Sequence, residues 1–475
     1  MFRQQGMLLG AIAMALALNA NAAGDGPNKR HLEQSVIDSG ALSLQEIIRH
    51  GRHIFAEDFN THDGFGDPNR PGINSVGEAT GFNRVSGPDS VACAACHNKP
   101  FVGGAGDNSV NIFPGFNRPD NIDDLAFDNL NVRNSQSIFG AGPKQVLAQE
   151  MIAELEATAE QAREEAEASG VEVTLPLFAK GVSFGSITGL PDGTLDTNGV
   201  EGVAKDLRIR PFNTAGVIPT LRDFVIGASE QHFGIEAEEQ FGEDGDGDGI
   251  TRELTIGDVT ATALFQASLP IPVQILPKDR RLRREALRGE RVFGEIGCTN
   301  CHISEMVIDD PVFRERAPGS VRSTNLNLTR DSFFPRLRRN RNGSANVRLY
   351  SDLKRHDLGA AVAEPLLQVD RASVSHFMTL PLWGVASTGP WMHDGRATTL
   401  TDAISLHGGE AASVRDAYTA LNSRDRDAVI EFLKTQQVVI LDPRLLIPNL
   451  PLPEQFDVNQ ANFGEEDSFA ARQNP

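Results

Sequence analysis

Cys93-Ala94-Ala95-Cys96-His97 and Cys298-Thr299-Asn300-Cys301-His302 are the stretches on which the reading of this chain turns. Residues spaced i, i+3 and i+4 share one face of a helical turn, so each stretch presents two thiols and an imidazole to the same side. C-x-x-C-H is the attachment pattern of c-type haem: the thiols form thioethers to the porphyrin and the histidine becomes the proximal iron ligand. The two copies consume all four cysteines of the 475-residue chain. A zinc site drawn from both pairs would have to join them across about two hundred residues, and zinc needs neither following histidine. Thioredoxin-like redox motifs leave those histidines unexplained as well. The expected cofactors are therefore two covalently bound haem c groups, one on Cys93, Cys96 and His97, the other on Cys298, Cys301 and His302.

The N-terminus supports this. Met1 to Ala22 reads as a secretory signal: Arg3 is the positive start, Met7 to Leu18 the apolar run, and Ala20-Asn21-Ala22 the small-x-small cleavage pattern. The run is too short to span a bilayer, and no later stretch offers a membrane span in the mature chain. Export to the periplasm is expected, where free thiols would be a liability and covalent occupation of the cysteines fits. With 44 basic against 64 acidic residues the chain carries a net charge of −20, which argues against nucleic acid as a partner. Its 40% hydrophobic content is enough for cores.

The two halves echo each other. Gly51-Arg52-His53-Ile54-Phe55 resembles Gly289-Glu290-Arg291-Val292-Phe293, each in an amphipathic helical stretch before a haem motif. Thr220-Leu221-Arg222-Asp223 leads to His232, and Thr399-Leu400-Thr401-Asp402 leads to His407. The expected fold is mainly α: two class I cytochrome c-like domains, each with one covalent haem and long loop insertions. The signal peptide would occupy 1–22, the N-terminal domain 23–275 and the C-terminal domain, with its extended Pro/Leu-rich tail, 276–475. A Gly/Asn/Pro-rich loop is expected over about 59–90. One helix is expected from Gln145 to Ser169, stopped by Gly170, with Leu147, Met151 and Leu155 on one face. Another, capped by Ser423, should run from Arg424 to about Gln436 and pack on the helix before the second motif.

Gly389-Pro390-Trp391-Met392-His393-Asp394-Gly395-Arg396, followed by Thr399-Leu400, resembles a segment of the bacterial di-haem cytochrome c peroxidases and MauG-like proteins. The phrases Phe101-Val102-Gly103-Gly104-Ala105-Gly106, Leu353-Lys354-Arg355-His356-Asp357 and Leu406-His407-Gly408-Gly409-Glu410 are similar to the di-haem oxidoreductase branch of that superfamily. The resemblance implies a C-terminal electron-transfer haem and an N-terminal peroxidatic one. It places the second axial ligand of the C-terminal haem at His407, where relatives carry Met or Tyr; a bis-histidine haem has a lower potential than a His/Met one. The alternative for His407 is a helix cap before the Gly408-Gly409 turn. At the N-terminal haem, the family's blocking histidine is replaced by Phe113, so an open iron is expected. His232 is the main challenger as distal ligand, ahead of His50, His53 and His62.

Peroxide reduction also needs a group that moves a proton between the peroxide oxygens. The resemblance points to Glu239 after the first Thr-Leu phrase, assisted by His232, with Glu150 in reserve. Trp391 is either a relay between the haems or a packing residue. Asp244, Asp246 and Asp248 alternate with glycines as in the first half of a calcium loop, though Thr255 stands where the EF-hand glutamate would be. The family's separate calcium site is matched by Thr388 and Pro390, with Gly140 in place of its Asn. The resulting expectation is a peroxidase-like oxidoreductase, taking electrons from a small donor protein (a cytochrome c or a cupredoxin) and acting on hydrogen peroxide or an organic substrate. A MauG-like oxidant and a non-catalytic electron carrier are the rival readings.

Overall fold

The computed structural model describes residues 26–66, 88–106, 111–114, 130–364, 374–442 and 445. The expected signal segment, most of the 59–90 loop and the tail beyond 445 lie outside the described residues, and the Phe113 side chain is likewise not described. Seven helices position the site. They are α1 (Leu44–Ala56), α2 (Ala141–Ser169), α3 (Leu221–Phe233), α4 (Ile256–Ser268), α5 (Arg280–Glu295), α6 (Leu400–Ser405) and α7 (Ser423–Leu433). Strand pairing is local. A three-stranded antiparallel sheet of β1 (Val173–Ala179), β2 (Val182–Gly189) and β3 (Leu195–Asp196) packs on α2, and the other described sheets are two-stranded ribbons. The sequence reading foresaw α2 and its buried Leu147, Met151 and Leu155 but not this sheet. A Val/Thr/Leu run that buries only Leu177 and Ala179 is too weakly patterned to announce itself.

Local chemistry sets the helix starts. Ser43 and Glu46 form a reciprocal capping box at α1, and Thr255 with Asp258 forms another at α4. Thr220 caps α3 and Thr399 caps α6, each accepting a hydrogen bond from the N–H of the aspartate three residues on. The two Thr-Leu-x-Asp phrases thus do the same job in both halves. For α7 the cap is Asn422, whose Oδ1 accepts the Asp425 N–H, and not Ser423, which is already helical; regular helix ends at Leu433 rather than Gln436.

The echo extends to packing. α1 crosses α4, and α5 crosses α7. At the first crossing a Cβ on Gly51 would stand 1.9 Å from the Ala261 carbonyl oxygen; at the second, one on Gly289 would stand 1.8 Å from that of Ala428. Only glycine permits this approach. One turn further on, Phe55 meets Phe265 at 5.3 Å and Phe293 meets Phe432 at 5.3 Å. Gly289→Val must push α5 off α7, where backbone cannot give way. The expected loss is about 3 kcal/mol, at the upper end of overpacking costs, read as a lower midpoint in denaturant.

A large apolar cluster runs from Ile47 and Phe265 to Val347 and Leu353, joining both halves of the chain. Two smaller clusters flank it. One, with Ile54, Phe59, Val225 and Phe233, packs against Cys93. The other, with Phe293, Tyr350, Val429 and Phe432, packs against Cys298. α4 is buried on all sides, so its sequence shows no polar face.

Asp258 on α4, fully buried, ties the N-terminal segment down. It accepts from His31 Nδ1 at 2.7 Å, His50 Nε2 at 2.6 Å and Leu32 N at 2.9 Å. Burial alone would raise the Asp258 carboxyl, but the bonds from His31 and His50 outweigh it and hold it at about 2. The bond to Asp258 raises the His31 imidazole above its ordinary value. A raised histidine adds stability in full below about pH 6.5 and loses it as pH rises through the raised value. His31→Gln should therefore destabilise more at pH 5.5 than at pH 9, by less than about 1 kcal/mol given that side chain's exposure to solvent. Thermal melts at the two pH values check the sign.

Candidate functional site

Each C-x-x-C-H stretch is wound into a single turn, with His97 N bonded to Cys93 O at 2.9 Å and His302 N to Cys298 O at 3.0 Å. The four cysteines are free of disulfides. His97 Nδ1 donates to Gln136 O at 2.9 Å, with Gly104 O at 3.2 Å, and His302 Nδ1 donates to Tyr350 O at 3.0 Å. A carbonyl on Nδ1 selects the tautomer whose Nε2 lone pair points away, as a metal-ligating histidine requires. Burial lowers both imidazoles to about 4, so both are neutral at neutral pH. The Phe-Val-Gly-Gly-Ala-Gly phrase explains itself here: Gly103 N bonds to His97 O, and the Gly104 carbonyl is one of the acceptors. Phe55 leans on His97 at 6.3 Å and Phe293 on His302 at 6.1 Å, the same relation in both halves.

In the second half a cavity of about 380 Å³ opens between the motif and α6. Cys298, Cys301, His302 and His407 line it, with apolar walls from Leu400, Val429 and Leu433. The ring centres of His302 and His407 lie 6.5 Å apart, with their planes tilted by 56°. Two imidazoles on opposite sides of one metal, each about 2 Å from it, have centres about 6.5 Å apart. The residues therefore fit an iron held between two histidines. His407 Nδ1 donates to Ala403 O at 2.8 Å, while burial keeps the ring neutral. The helix-cap and ligand readings of His407 are thus compatible, since capping uses Nδ1 and leaves Nε2.

Two of the family-like phrases meet to place His407. Glu410 accepts from His356 Nδ1 at 2.8 Å and from Asp357 N at 2.9 Å. Gly409 lies so close that a Cβ would stand 2.1 Å from Asp357 O, and its φ is +51°. His356 Nε2 is held by Asp352 at 2.8 Å. Burial by itself would lower this imidazole, but Asp352, the Cys301 thiol and Glu410 raise it to about 11.

The first motif has a different surrounding. The ring packed on His97 is that of Phe55, and no histidine ring faces it as His407 faces His302 among the described residues. His232, near the end of α3, lies within electrostatic reach of His97, and its Nδ1 bonds to Asp89 at 3.0 Å. The six-residue α6 puts His407 just past its end, whereas the 13-residue α3 keeps His232 helical. His50 is committed to Asp258, and His62 is exposed.

Glu239 is placed otherwise than the sequence suggested. Its carboxylate forms a bidentate ion pair with Arg222, whose remaining nitrogen holds Glu315 at 2.8 Å and Thr260 at 3.0 Å. Glu150 pairs with Lys180 and accepts from Asp309 N and Asp310 N. Both carboxylates are held in ion pairs. Trp391 donates its indole N–H to Val385 O at 3.0 Å and lines the cavity, while Trp383 is packed on Gly140. The Pro390 carbonyl accepts from Asn134 Nδ2 at 2.7 Å, a residue the sequence reading passed over in favour of Gly140. Asp244, Asp246 and Asp248 converge, each offering an oxygen within 4.8 Å of the others. Sequence reasoning missed Asp89, Gln136 and Tyr350, because two of them act through backbone carbonyls and the third lies 143 residues from its histidine.

Residues 265–436 match the family model described as "Di-haem oxidoreductase, putative peroxidase". That segment takes in the second motif, the His356 ribbon, the His393 and His407 phrases and α7; the first motif lies outside it. Over that segment, the match meets the likeness to the di-haem oxidoreductase branch read from the residues. No curated protein matches the chain. Among solved structures it is similar to a hydrazine synthase from Kuenenia stuttgartiensis, at 15% identity and a TM-score of 0.34, covering 87% of this chain and 96% of that one. It is also similar to a MauG-like protein associated with microbial copper homeostasis, at 15% identity and a TM-score of 0.28, covering 65% of this chain and 91% of that chain. Among the described residues no helix is long and apolar enough to cross a membrane.

Proposed function

We propose that the chain is an exported, periplasmic di-haem c-type oxidoreductase that reduces hydrogen peroxide with electrons from a small cytochrome or cupredoxin. The observation that carries this reading is the inequality of the two histidine sites. His302 has His407 opposite it; His97 has a hydrogen-bonded His232–Asp89 pair within reach instead. The first arrangement suits electron transfer, and the second, with an acid–base pair in place of a facing histidine, suits chemistry on a substrate. In this reading Cys93 and Cys96, and Cys298 and Cys301, tether the cofactors, each within its own cytochrome-like domain. When bound at His97, the haem supplies the iron at which the O–O bond is reduced.

The chain's own residues supply proton movement and orientation. Burial keeps His97 neutral, and Gln136 O and Gly104 O fix it in its ligating tautomer. Asp89 holds His232 Nδ1, so Nε2 is the nitrogen that takes a proton from one peroxide oxygen and returns it to the other. In this reading the ion pair of Glu239 with Arg222 favours His232 over Glu239 for that role.

EPR of the oxidised holoprotein before and after peroxide tests the reading. One low-spin and one high-spin or water-bound signal, with loss of the second on adding peroxide, is the expected result. Two low-spin signals inert to peroxide would refute it and leave an electron carrier.

A further inference from the structure

Lys144, in the first turn of α2, takes part in neither histidine site described above. It lines the cavity of about 380 Å³ and is 8% exposed. Its ammonium stands over the Phe212 ring, 4.7 Å from the ring centre, and has no hydrogen bond or ion pair among the described residues. Burial lowers it to about 8, and no carboxylate is near enough to offset that. Lys180 shows the usual arrangement, with Glu150, Glu154 and Asp309 gathered on its ammonium. A buried ammonium without a counter-charge is costly, and an anion beside it removes the penalty. Two further polar atoms of the cavity wall, Ser135 Oγ and His393 Nδ1, are buried without a hydrogen-bond partner among the described residues. The one carboxylate on the described wall, Glu410, is already taken by His356 and Asp357 N. The positive end of the α2 dipole adds to the preference for an anion at Lys144.

We propose that Lys144 binds a propionate of the haem carried by Cys298, Cys301 and His302. This rests on the reading of the cavity as the site of that haem. A haem offers its surroundings an apolar macrocycle, an iron and two propionate carboxylates. Leu400, Val429 and Leu433 suit the macrocycle, His302 and His407 the iron, and Cys298 and Cys301 the tethered edge. The carboxylates remain, and Lys144 is the buried cation in the same cavity that lacks an anion. Ser135 and His393 supply the neighbouring hydrogen-bonding atoms. Lys144 and Ser135 belong to the first half of the chain, so the contact fastens the second haem to the half that carries His97. Gln136, next to Ser135, accepts from His97 Nδ1, and one short segment thus touches both sites. Lys144 is a positioning residue: it neutralises a charge beside the haem and takes no part in bond making.

The test is an optical and EPR redox titration of the full-length holoprotein, with covalent haem counted by mass spectrometry. An unneutralised propionate favours the ferric state. Lys144→Met should therefore keep two haems and the low-spin signal of the His302 haem but lower that haem's reduction potential. At a fixed solution potential its ratio of oxidised to reduced form should rise about tenfold, the order expected for one charge buried near the iron. Lys144→Arg, which keeps the charge, should stay close to native. Should Lys144→Met fail to load, Lys144→Gln, neutral but polar, must show the same shift. A potential unchanged in the neutral variants overturns the proposal, as does a shift equally large in Lys144→Arg or one confined to the haem on His97. Native protein without covalent haem on Cys298 and Cys301 refutes the cofactor reading itself, and the proposal with it.

Discussion

His407→Ala is expected to convert the C-terminal haem from a low-spin, six-coordinate species to a high-spin one and to raise its reduction potential. The ring centre of His407 lies 6.5 Å from that of His302, a separation at which both could hold one iron. His407 is delivered by a rigid device: Thr399 caps α6, Ala403 O holds Nδ1, and Glu410 clamps the following turn to His356 and Asp357. The axial ligand is a dominant lever on haem potential, so losing an imidazole should raise it strongly. Electron delivery from a donor protein should then fall, while direct reaction of the N-terminal site with peroxide remains. An unchanged visible and EPR spectrum would refute ligation by His407 and return it to a cap. Glu410→Ala should act in the same direction but less completely, by loosening the turn.

His232→Ala should lower the rate of peroxide reduction by about 10²- to 10⁴-fold, the usual worth of a positioned acid–base group, or about 3 to 5 kcal/mol of barrier. Both C-x-x-C-H sites should remain loaded, since His232 belongs to neither. Asp89→Asn should cost less and should shift the pH dependence of the rate, because Asp89 acts by orienting the imidazole. Glu239→Gln separates this assignment from the sequence-derived one. It should lower stability through the loss of its buried pair with Arg222 while the rate per folded molecule stays close to native. A rate that collapses in Glu239→Gln but survives in His232→Ala would overturn the assignment. If His232 were instead an axial ligand, His232→Ala would turn a low-spin signal high-spin without slowing the peroxide reaction.

The sequence by itself determined the parts whose chemistry is local. The spacing of Cys93, Cys96 and His97, and of their counterparts in the second half, needs only one helical turn to be understood. The same holds for the threonine caps of α3 and α6, for the Leu147–Met151–Leu155 face of α2, and for the Gly-x-x-x-Phe echo. Tertiary structure decided the partners. That Gly51 and Gly289 each receive a backbone carbonyl of a crossing helix depends on packing between segments well over a hundred residues apart. So does the ion pair that ties Glu239 to Arg222: a carboxylate reads the same in sequence whether it faces a substrate or an arginine. His232 and His407 look alike on paper, each following a Thr-Leu-x-Asp cap. The fold makes them different, because α6 ends early enough to set His407 against His302, whereas α3 continues and gives His232 to Asp89.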